Sequence, residues 1–547
     1  MLEAPELVRV RGTMDFVPPQ AALHRQLLNT LHDFIALYGY ALIETPVLES
    51  TELFLRKSGE ELAARIYAFT HWNRRLCLRP EFTASVIRAY LQELRHRPLP
   101  LRLAYSGPTF RYEKPQRGRY RQFTEVGGEL IGAAGPAADA EVLAVACGAL
   151  ERVGVRDYRL VVGHLGVALQ LLAQLGIDER GQALIIGQLE ALARKQADAA
   201  AVIQRVALLL GAPGDASGDG AEPDSALRAL LAQVGPEEAA RLATALLHHA
   251  SLPLDGGVRS PSEIVERLLA KAARPDPTPR VRTAIEFLQQ LHGLAGPPAA
   301  ALGRLEALLA EYQLASDPLR ELADALDHFA HHGPRPREIV VDLSLARGLR
   351  YYTGLVFEVY DDGPDGPLQL CGGGRYDGLV RALGGPDQVP ACGFSIGLER
   401  TRLALERHGA LPPAPGPAAA LVIPVEPADH AAAVAAAGAL RARGLRVELD
   451  VRGRGLKSAL RHADREGIPL AVIVGERERA SGSVVLRVLA TNQQHMVALA
   501  DLPAAATAVL AEAGVKSAGA GATRRVAPPN GEATARGTAG ADEEEHG

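Results

Sequence analysis

Several features are scarce or missing in this chain, and each one closes off a class of protein. The four cysteines, Cys77, Cys147, Cys371 and Cys392, are scattered through 547 residues with no paired spacing. That excludes a disulfide framework and a zinc site built on cysteine pairs, and leaves them as core thiols. No apolar run reaches the roughly 18 residues that a membrane helix needs. The N-terminus, MLEAPELVRVRG, carries acids where a secretory leader has its apolar core, so a cytoplasmic protein is expected. Excess positive charge is absent too: 59 Lys and Arg stand against 64 Asp and Glu, a net charge of −5. Any RNA contact must therefore come from local patches. The three glycines at 372–374 do not form a G-x-G-x-x-G phosphate fingerprint; they let one backbone pass close to another or to a flat ligand.

What is present starts with size. A chain this long exceeds what one core supports, and two to four domains are expected. Residues 105–132, YSGPTFRYEKPQRGRYRQFTEVGGELIG, pack Arg111, Lys114, Arg117, Arg119 and Arg121 into eleven residues and then deliver Glu125 and Glu129 into an apolar run. Apolar runs ending at Phe110 and spanning 123–131 flank a Pro-Gly-basic loop, which reads as two strands joined by a charged hairpin. Period two puts Phe123, Glu125, Gly127 and Glu129 on one face, where a carboxylate is either costly or functional. Taken singly, each acid reads as a salt-bridged residue of a half-buried strand. Five cations beside two inward acids describe a site that holds phosphate at one end and a cationic group at the other.

Upstream, Pro18 and Pro19 open a helical pattern to about residue 38, with apolar positions at Leu23, Leu27, Leu31 and Ile35. The segment YALIETPVLES reads as a strand in which Pro46 suits an edge or an intersubunit position. Residues 74–83, RRLCLRPEFT, end a strand at Glu81 before a helix, a junction where ligands often bind; an acid at the N-terminus of a helix is the plainer alternative. A helix over 139–152 and a strand over 158–162 follow. From 165 to about 329 the composition turns to Ala, Leu, Glu and Arg with Gly/Pro-rich breaks, a helical insertion in which His248, His249, His331 and His332 read as surface residues. Apolar alternation returns at Ile339, where IVVDLSLARGLRYYTGLVFEVYDD reads as two strands around a turn, and from Gly393 a strand enters a helix carrying Glu399 and Arg400. After the linker LPPAPGPAA comes a small α/β pattern, with Arg452, Arg454, Lys457 and Arg461 around its second helix; these fit a phosphate backbone or a solvated helix face. Beyond about residue 514 a tail without periodicity, ending in 542–545 DEEE, reads as disordered.

Six segments in this order, RGTMDFVPPQ, LRPEFTASVIRAY, the basic hairpin, ARGLRYYTGLVFE, CGGGRYDGLV and GFSIGLERTRLAL, followed by a small α/β domain, resemble the histidyl-tRNA synthetase family of class II aminoacyl-tRNA synthetases. The resemblance covers about residues 8–160 and 337–505. It implies an α+β fold: an antiparallel sheet of six or seven strands with flanking helices, a helical insertion and a C-terminal α/β anticodon-binding domain. The boundaries expected are a catalytic core in two parts, 1–164 and 336–410, an insertion at 165–335, the anticodon-binding-like domain at 418–510 and a tail at 514–547. A homodimer formed through the segment around Pro46 is implied as well.

The activity implied is activation of histidine with ATP and Mg²⁺ to histidyl-adenylate, then transfer to tRNA(His). By resemblance Arg111 and Arg347 hold the α-phosphate, Arg119 and Arg400 the β- and γ-phosphates, and Glu113 contacts adenine or metal. Glu81, Thr83 and Glu125 take the histidine ammonium, while Glu129 with Tyr352, and Tyr351 beside it, takes the imidazole. Gln116 and Arg117 at the hairpin tip reach the tRNA acceptor end, and no resident protein-bound metal is expected. Three positions depart from the family pattern: Phe82 stands where Gly is usual, Glu125 where Gln is usual and Arg350 where Asp is usual. These departures, with the long insertion, leave a second reading open: a non-catalytic, histidine-sensing regulatory subunit of ATP phosphoribosyltransferase.

Overall fold

The computed structural model describes residues 7–56, 64–188, 198–210, 276–345, 351–413 and 418–512, with isolated positions between 192 and 245 and at 416. Arg347, Arg350, His248, His249, nearly all of 211–275 and the acidic tail lie outside the described residues. The chain divides into two compact units, Met1–Pro412 and Pro413–Gly547.

The first unit holds eleven described strands: β1 Ala41–Leu42, β2 Leu48–Ser50, β3 Ala68–His71, β4 Arg74–Leu78, β5 Leu101–Phe110, β6 Gln122–Ile131, β7 Arg159–His164, β8 Glu338–Val341, β9 Leu355–Gly363, β10 Gly366–Arg375 and β11 Ala391–Gly397. Eight of them form one sheet in the order β1-β5-β6-β11-β10-β9-β7-β8. Its six central strands are antiparallel neighbours, as expected, but the sheet is wider than six or seven strands, because β1 joins β5 and β8 joins β7 in parallel at the two edges. The reading of β8 and β9 as two strands around a turn also needs correcting. Both pair with β7, on opposite sides, so the connection between them crosses a strand instead of closing a hairpin. Pro46 lies between β1 and β2 and interrupts no ladder, consistent with its missing N–H.

One face of the sheet is built for packing. Val126, Leu130 and Ile396 join a continuous core with helix Gln20–Ala36, whose Leu23, Leu27, Leu31 and Ile35 recur every fourth residue and are all buried, and with helix Pro136–Val153. Helices Thr278–Gly293, Pro298–Glu311 and Asp317–Ala330 contribute to the same core, and the last packs on Pro136–Val153. His331 is exposed and His332 half-buried. Strands β2, β4 and β3 form a separate small sheet, one face of which covers Phe54 and Ala84 through Cys77.

The second unit is a five-stranded sheet of order β13-β12-β14-β15-β16, with β12 Ala420–Pro424, β13 Val447–Leu449, β14 Leu470–Val474, β15 Ser483–Val488 and β16 Gln494–Ala498. The β12, β13 and β14 pairings are parallel and the last two antiparallel. Helix Leu456–Arg465 buries only Ala459 and Ala463. Of the basic cluster around it, Arg454 is bound to the buried Asp450 at 3.0 Å. Strand β16 and helix Leu502–Glu512 go beyond the sequence reading; β16 is largely exposed and carries no apolar alternation.

Candidate active site

The site face of the large sheet is almost bare. Cross-strand partners place Gly107 beside Glu125, Gly127 between Tyr105 and Ser395, and Gly393 between Glu129 and Gly374, with Gly372 and Gly397 on the same face. These absent side chains open a hollow in which the few remaining groups stand out. At Gly393 the requirement is steric: a Cβ there would sit 1.7 Å from Glu129 Oε2. The 372–374 run does bring backbones together, since a Cβ at Gly373 would meet the Gly393 carbonyl at 2.2 Å.

The hollow is lined by Glu81, Thr83, Tyr105, Glu125, Tyr352 and Tyr376, among others. At its deep end Glu129 is fully enclosed. Its Oε1 accepts from Thr83 Oγ1 at 2.7 Å and from the Tyr105 hydroxyl at 3.2 Å, and its Oε2 accepts from the Tyr376 hydroxyl. Burial pushes its carboxyl up to about 8, against the pull of those three donors. Tyr352 stands with Tyr351 at 4.8 Å between ring centres, and Tyr376 contacts both edge-on. Glu129 and Tyr352 are thus linked through Tyr376, a residue the sequence reading did not single out.

The other end of the hollow is charged. Glu81 caps the strand-to-helix junction, its Oε1 accepting from the Ala84 N–H at 3.1 Å, while its buried Oε2 has no hydrogen-bond partner among the described residues. Burial above all, helped by the neighbouring Glu125 charge, raises it to about 7. Glu125 Oε1 accepts from Arg111 Nη2 at 3.0 Å, and Arg111 Nε donates to the Pro80 carbonyl at 2.8 Å. Beyond Arg111 a larger cavity of about 950 Å³ opens, lined by Gln116, Arg117, Arg119, Glu358, Gln369 and Arg400 with residues of the β7 to β10 region.

One cation of that cavity, Arg400, is fixed from the backbone. Arg400 Nε donates to the Gly118 carbonyl at 2.9 Å and Nη1 to the Gln369 carbonyl at 3.2 Å. Among the described residues no carboxylate lies within ion-pair reach of it, and burial with Arg119 and Arg111 nearby depresses its guanidinium below the ordinary range. Glu113 lies between Arg65, at 3.5 Å, and Arg119, at 3.9 Å. The hairpin tip is closed by paired N–H to carbonyl bonds between Gln116 and Arg119, with Gly118 at φ +77°, a left-handed conformation suited to glycine. Arg121 is separate from this group: it stacks over Tyr112 at 4.2 Å and bonds the carbonyls of Arg11 and Glu113, so it is structural.

Of the expected site residues, the small hollow gathers Glu81, Thr83, Glu125, Arg111, Tyr351 and Tyr352, and the larger cavity gathers Gln116, Arg117, Arg119 and Arg400. Glu113 and Glu129 line neither; Glu129 is bonded to Thr83, Tyr105 and Tyr376 of the hollow and Glu113 lies 3.9 Å from Arg119 of the cavity. The sequence reading passed over Tyr105, Tyr376, Glu358 and Gln369; Tyr105 was discoverable from period two, because it shares the face of Gly107 and Thr109.

A broad antiparallel sheet with a glycine-cleared face, an acid-lined hollow and an arginine-lined cavity beside it defines a class II aminoacyl-tRNA synthetase. Residues 12–253 and 263–401 match the family described as histidyl-tRNA synthetase, and residues 419–508 match the anticodon binding domain. The histidine–tRNA ligase of Methanocaldococcus jannaschii is 32% identical over 495 residues, covering 90% of this chain and 97% of that protein. Apo histidyl-tRNA synthetase of S. aureus superposes with a TM-score of 0.56 at 25% identity, over 91% of this chain and 99% of the other. A Bacillus halodurans C structure described as an ATP phosphoribosyltransferase regulatory subunit/histidyl-tRNA synthetase has the same TM-score at 23% identity over 86% and 98%, which shows the shared fold alone. The chain belongs to the histidyl-tRNA synthetase family and is a histidine–tRNA ligase, with histidine and tRNA as its partners; the regulatory reading is not favoured.

Proposed function

We propose that the hollow binds histidine and the adjoining cavity binds ATP, with Arg111 at their junction. The observation that carries this reading is Arg111 itself, which lines the hollow and bonds Glu125 there, while its charge, with that of Arg119, acts on Arg400 in the wall of the adjoining cavity. The histidine ammonium goes to Glu81, Thr83 and Glu125, and the imidazole to Tyr352 and Tyr351 beside the Glu129 network. When the carboxylate attacks the α-phosphorus, the bond to the α,β-bridging oxygen breaks and pyrophosphate leaves, so charge grows on the α-phosphate oxygens and on the pyrophosphate; Arg111 and Arg347 are assigned to the α-phosphate, and Arg119 and Arg400 to the β- and γ-phosphates. Arg111 then exchanges its bond to Glu125 for phosphate, and Glu125 turns to the ammonium. Mg²⁺ would neutralise the outer phosphates, with Glu113 the carboxylate assigned to it or to adenine. The Glu113 carboxylate beside Arg119 is the oxygen donor that a hard cation of this kind takes.

Further parts of the same proposal are that Gln116 and Arg117 meet the tRNA acceptor end, that 165–335 is an insertion into a catalytic core formed by 1–164 and 336–410, and that 418–510 binds the anticodon. We also assign a homodimer acting in the cytoplasm, where ATP and tRNA reside. Among the described residues no helix is long and apolar enough to cross a membrane.

Histidine-dependent ATP–pyrophosphate exchange tests the central assignment. The purified protein should exchange; absence of exchange with histidine binding retained would overturn it in favour of a sensor. Arg347→Ala should abolish exchange and leave histidine binding by calorimetry largely intact, whereas equal loss of both contradicts its assignment to the phosphate.

A further inference from the structure

Beneath the hollow lies a stack that the chemistry above does not use. Phe82, 1% exposed, lies parallel to the Tyr105 ring at 4.4 Å with 10° between planes. The Arg79 guanidinium carbon is 3.9 Å from the centre of the Phe82 ring. A ring cannot hold a parallel ring and a guanidinium that closely on one side, so Phe82 is the middle layer of a sandwich. Each outer layer is anchored. Arg79 donates to the Pro108 carbonyl at 3.0 Å and to the Thr45 carbonyl at 2.7 Å. Tyr105 carries its hydroxyl to Glu129 Oε1 and the Phe394 carbonyl, both at 3.2 Å. Space for the sandwich comes from Gly107, where a Cβ would stand 2.7 Å from Arg79 Nη2 and 3.4 Å from the tip of the Phe82 ring. Phe82 also forms part of the wall of the hollow.

We propose that Phe82 is a positioning residue for histidine recognition: wedged between a fixed arginine and Tyr105, it holds the Tyr105 phenol on Glu129, so that the deep end of the hollow presents one set of polar groups to the imidazole. The proposal rests on the reading that this hollow takes histidine. A phenol on a β-strand has two free side-chain torsions, and the hydroxyl sits at the far end of the ring, so loosening the ring displaces it most. Phe82 covers one face of that ring in parallel contact, and does so at no polar cost. Among the described residues it makes no ring or hydrogen-bond contact with the arginines of the larger cavity or with the hairpin tip, so its effect should fall on histidine and not on ATP.

The test is a double-mutant cycle read as KM for histidine in pyrophosphate exchange, with KM for ATP measured on the same proteins. Phe82→Leu and Tyr105→Phe should each raise the histidine KM about tenfold, the effect of one misplaced hydrogen bond. The double variant should be little worse than either single one, and the ATP KM should stay within about twofold of wild type. Multiplicative effects, an unchanged histidine KM in Phe82→Leu, or an equal rise in both KM values overturns the proposal. If Phe82→Leu does not fold, Phe82→Tyr and Phe82→Met carry the test, because one keeps the aromatic face and the other only volume: Tyr should retain the wild-type histidine KM and Met should raise it, and equal values for the two overturn the proposal. A wild-type protein that binds no histidine would instead remove the reading on which this one rests, a separate result from the same titration.

Discussion

At the residue scale the decisive features are the acids of the hollow. Glu81 and Glu125 are both buried, and only Glu125 has a cation bonded directly to it. With its carboxyl raised to about 7, Glu81 holds a proton in a large share of free molecules at neutral pH. An ammonium is bound by the ionised form, so histidine affinity should rise as pH increases through about 7 and level off above it, and binding should release a proton below that point. Glu125→Gln removes the nearby charge that helps to raise Glu81. Burial, the larger cause, remains, so the inflection should move down and not vanish. Calorimetry at pH near 6.5 in buffers of different ionisation enthalpy measures this proton release, and comparing the variant with wild type cancels the titration of the substrate's own imidazole. Identical release in both proteins would show that Glu125 does not influence Glu81. The sequence placed acids here through the period-two pattern of β6, but it could not show how they are paired. Arg111 and Glu125 are fourteen positions apart across a hairpin, and only the register brings them together.

At the scale of elements, the β5–β6 hairpin is divided along its length. Its base holds the acids, its middle holds Arg111, and its tip, closed between Gln116 and Arg119, faces the larger cavity. Replacing Gln116 and Arg117 together with Ala should lower the kcat/KM of tRNA charging by about tenfold or more, since tRNA contacts of this sort contribute mostly through charge. Exchange without tRNA should change little; parallel losses in both assays would mean that the tip also serves ATP. This hairpin, the helix Gln20–Ala36 and the strand-to-helix passage at Gly397 were legible from periodicity and punctuation, because each is set by local pattern. The parallel edges were not, because β1 is two residues long and β8 is joined to the sheet through β7, 174 positions from the start of β8 back to the end of β7. Tyr376 went unnoticed for a related reason: it lies 247 positions from Glu129, and nothing near either residue announces the bond.

At the scale of the whole molecule, the small sheet β2-β4-β3 presents an unbalanced surface. Its register puts Leu48, Leu76, Leu78 and Phe69 on one face, opposite the face that packs through Cys77. Leu48 and Phe69 are 47% and 46% exposed, and Trp72 at the β3–β4 turn is 87% exposed with φ +47°, a conformation unusual for a bulky side chain. An apolar sheet face of this kind is expected to be covered, and a second copy of the chain is the occupant that the proposed homodimer supplies. Leu48→Lys with Phe69→Lys should therefore convert a dimer to a monomer at micromolar concentration, measured by light scattering after size exclusion; a wild-type protein that is monomeric under those conditions would remove the assignment. The consequence should reach the hollow. Arg79, the outer layer of the Phe82 sandwich, donates to the carbonyls of Thr45 and Pro46 immediately before β2, and its own N–H bonds the Val47 carbonyl. Freeing β2 from a partner loosens the segment to which Arg79 is tied, so the monomeric variant should show a raised histidine KM with little change in the ATP KM, the same pattern expected of Phe82→Leu. A monomer with wild-type histidine KM would show that Arg79 is held by its own subunit alone.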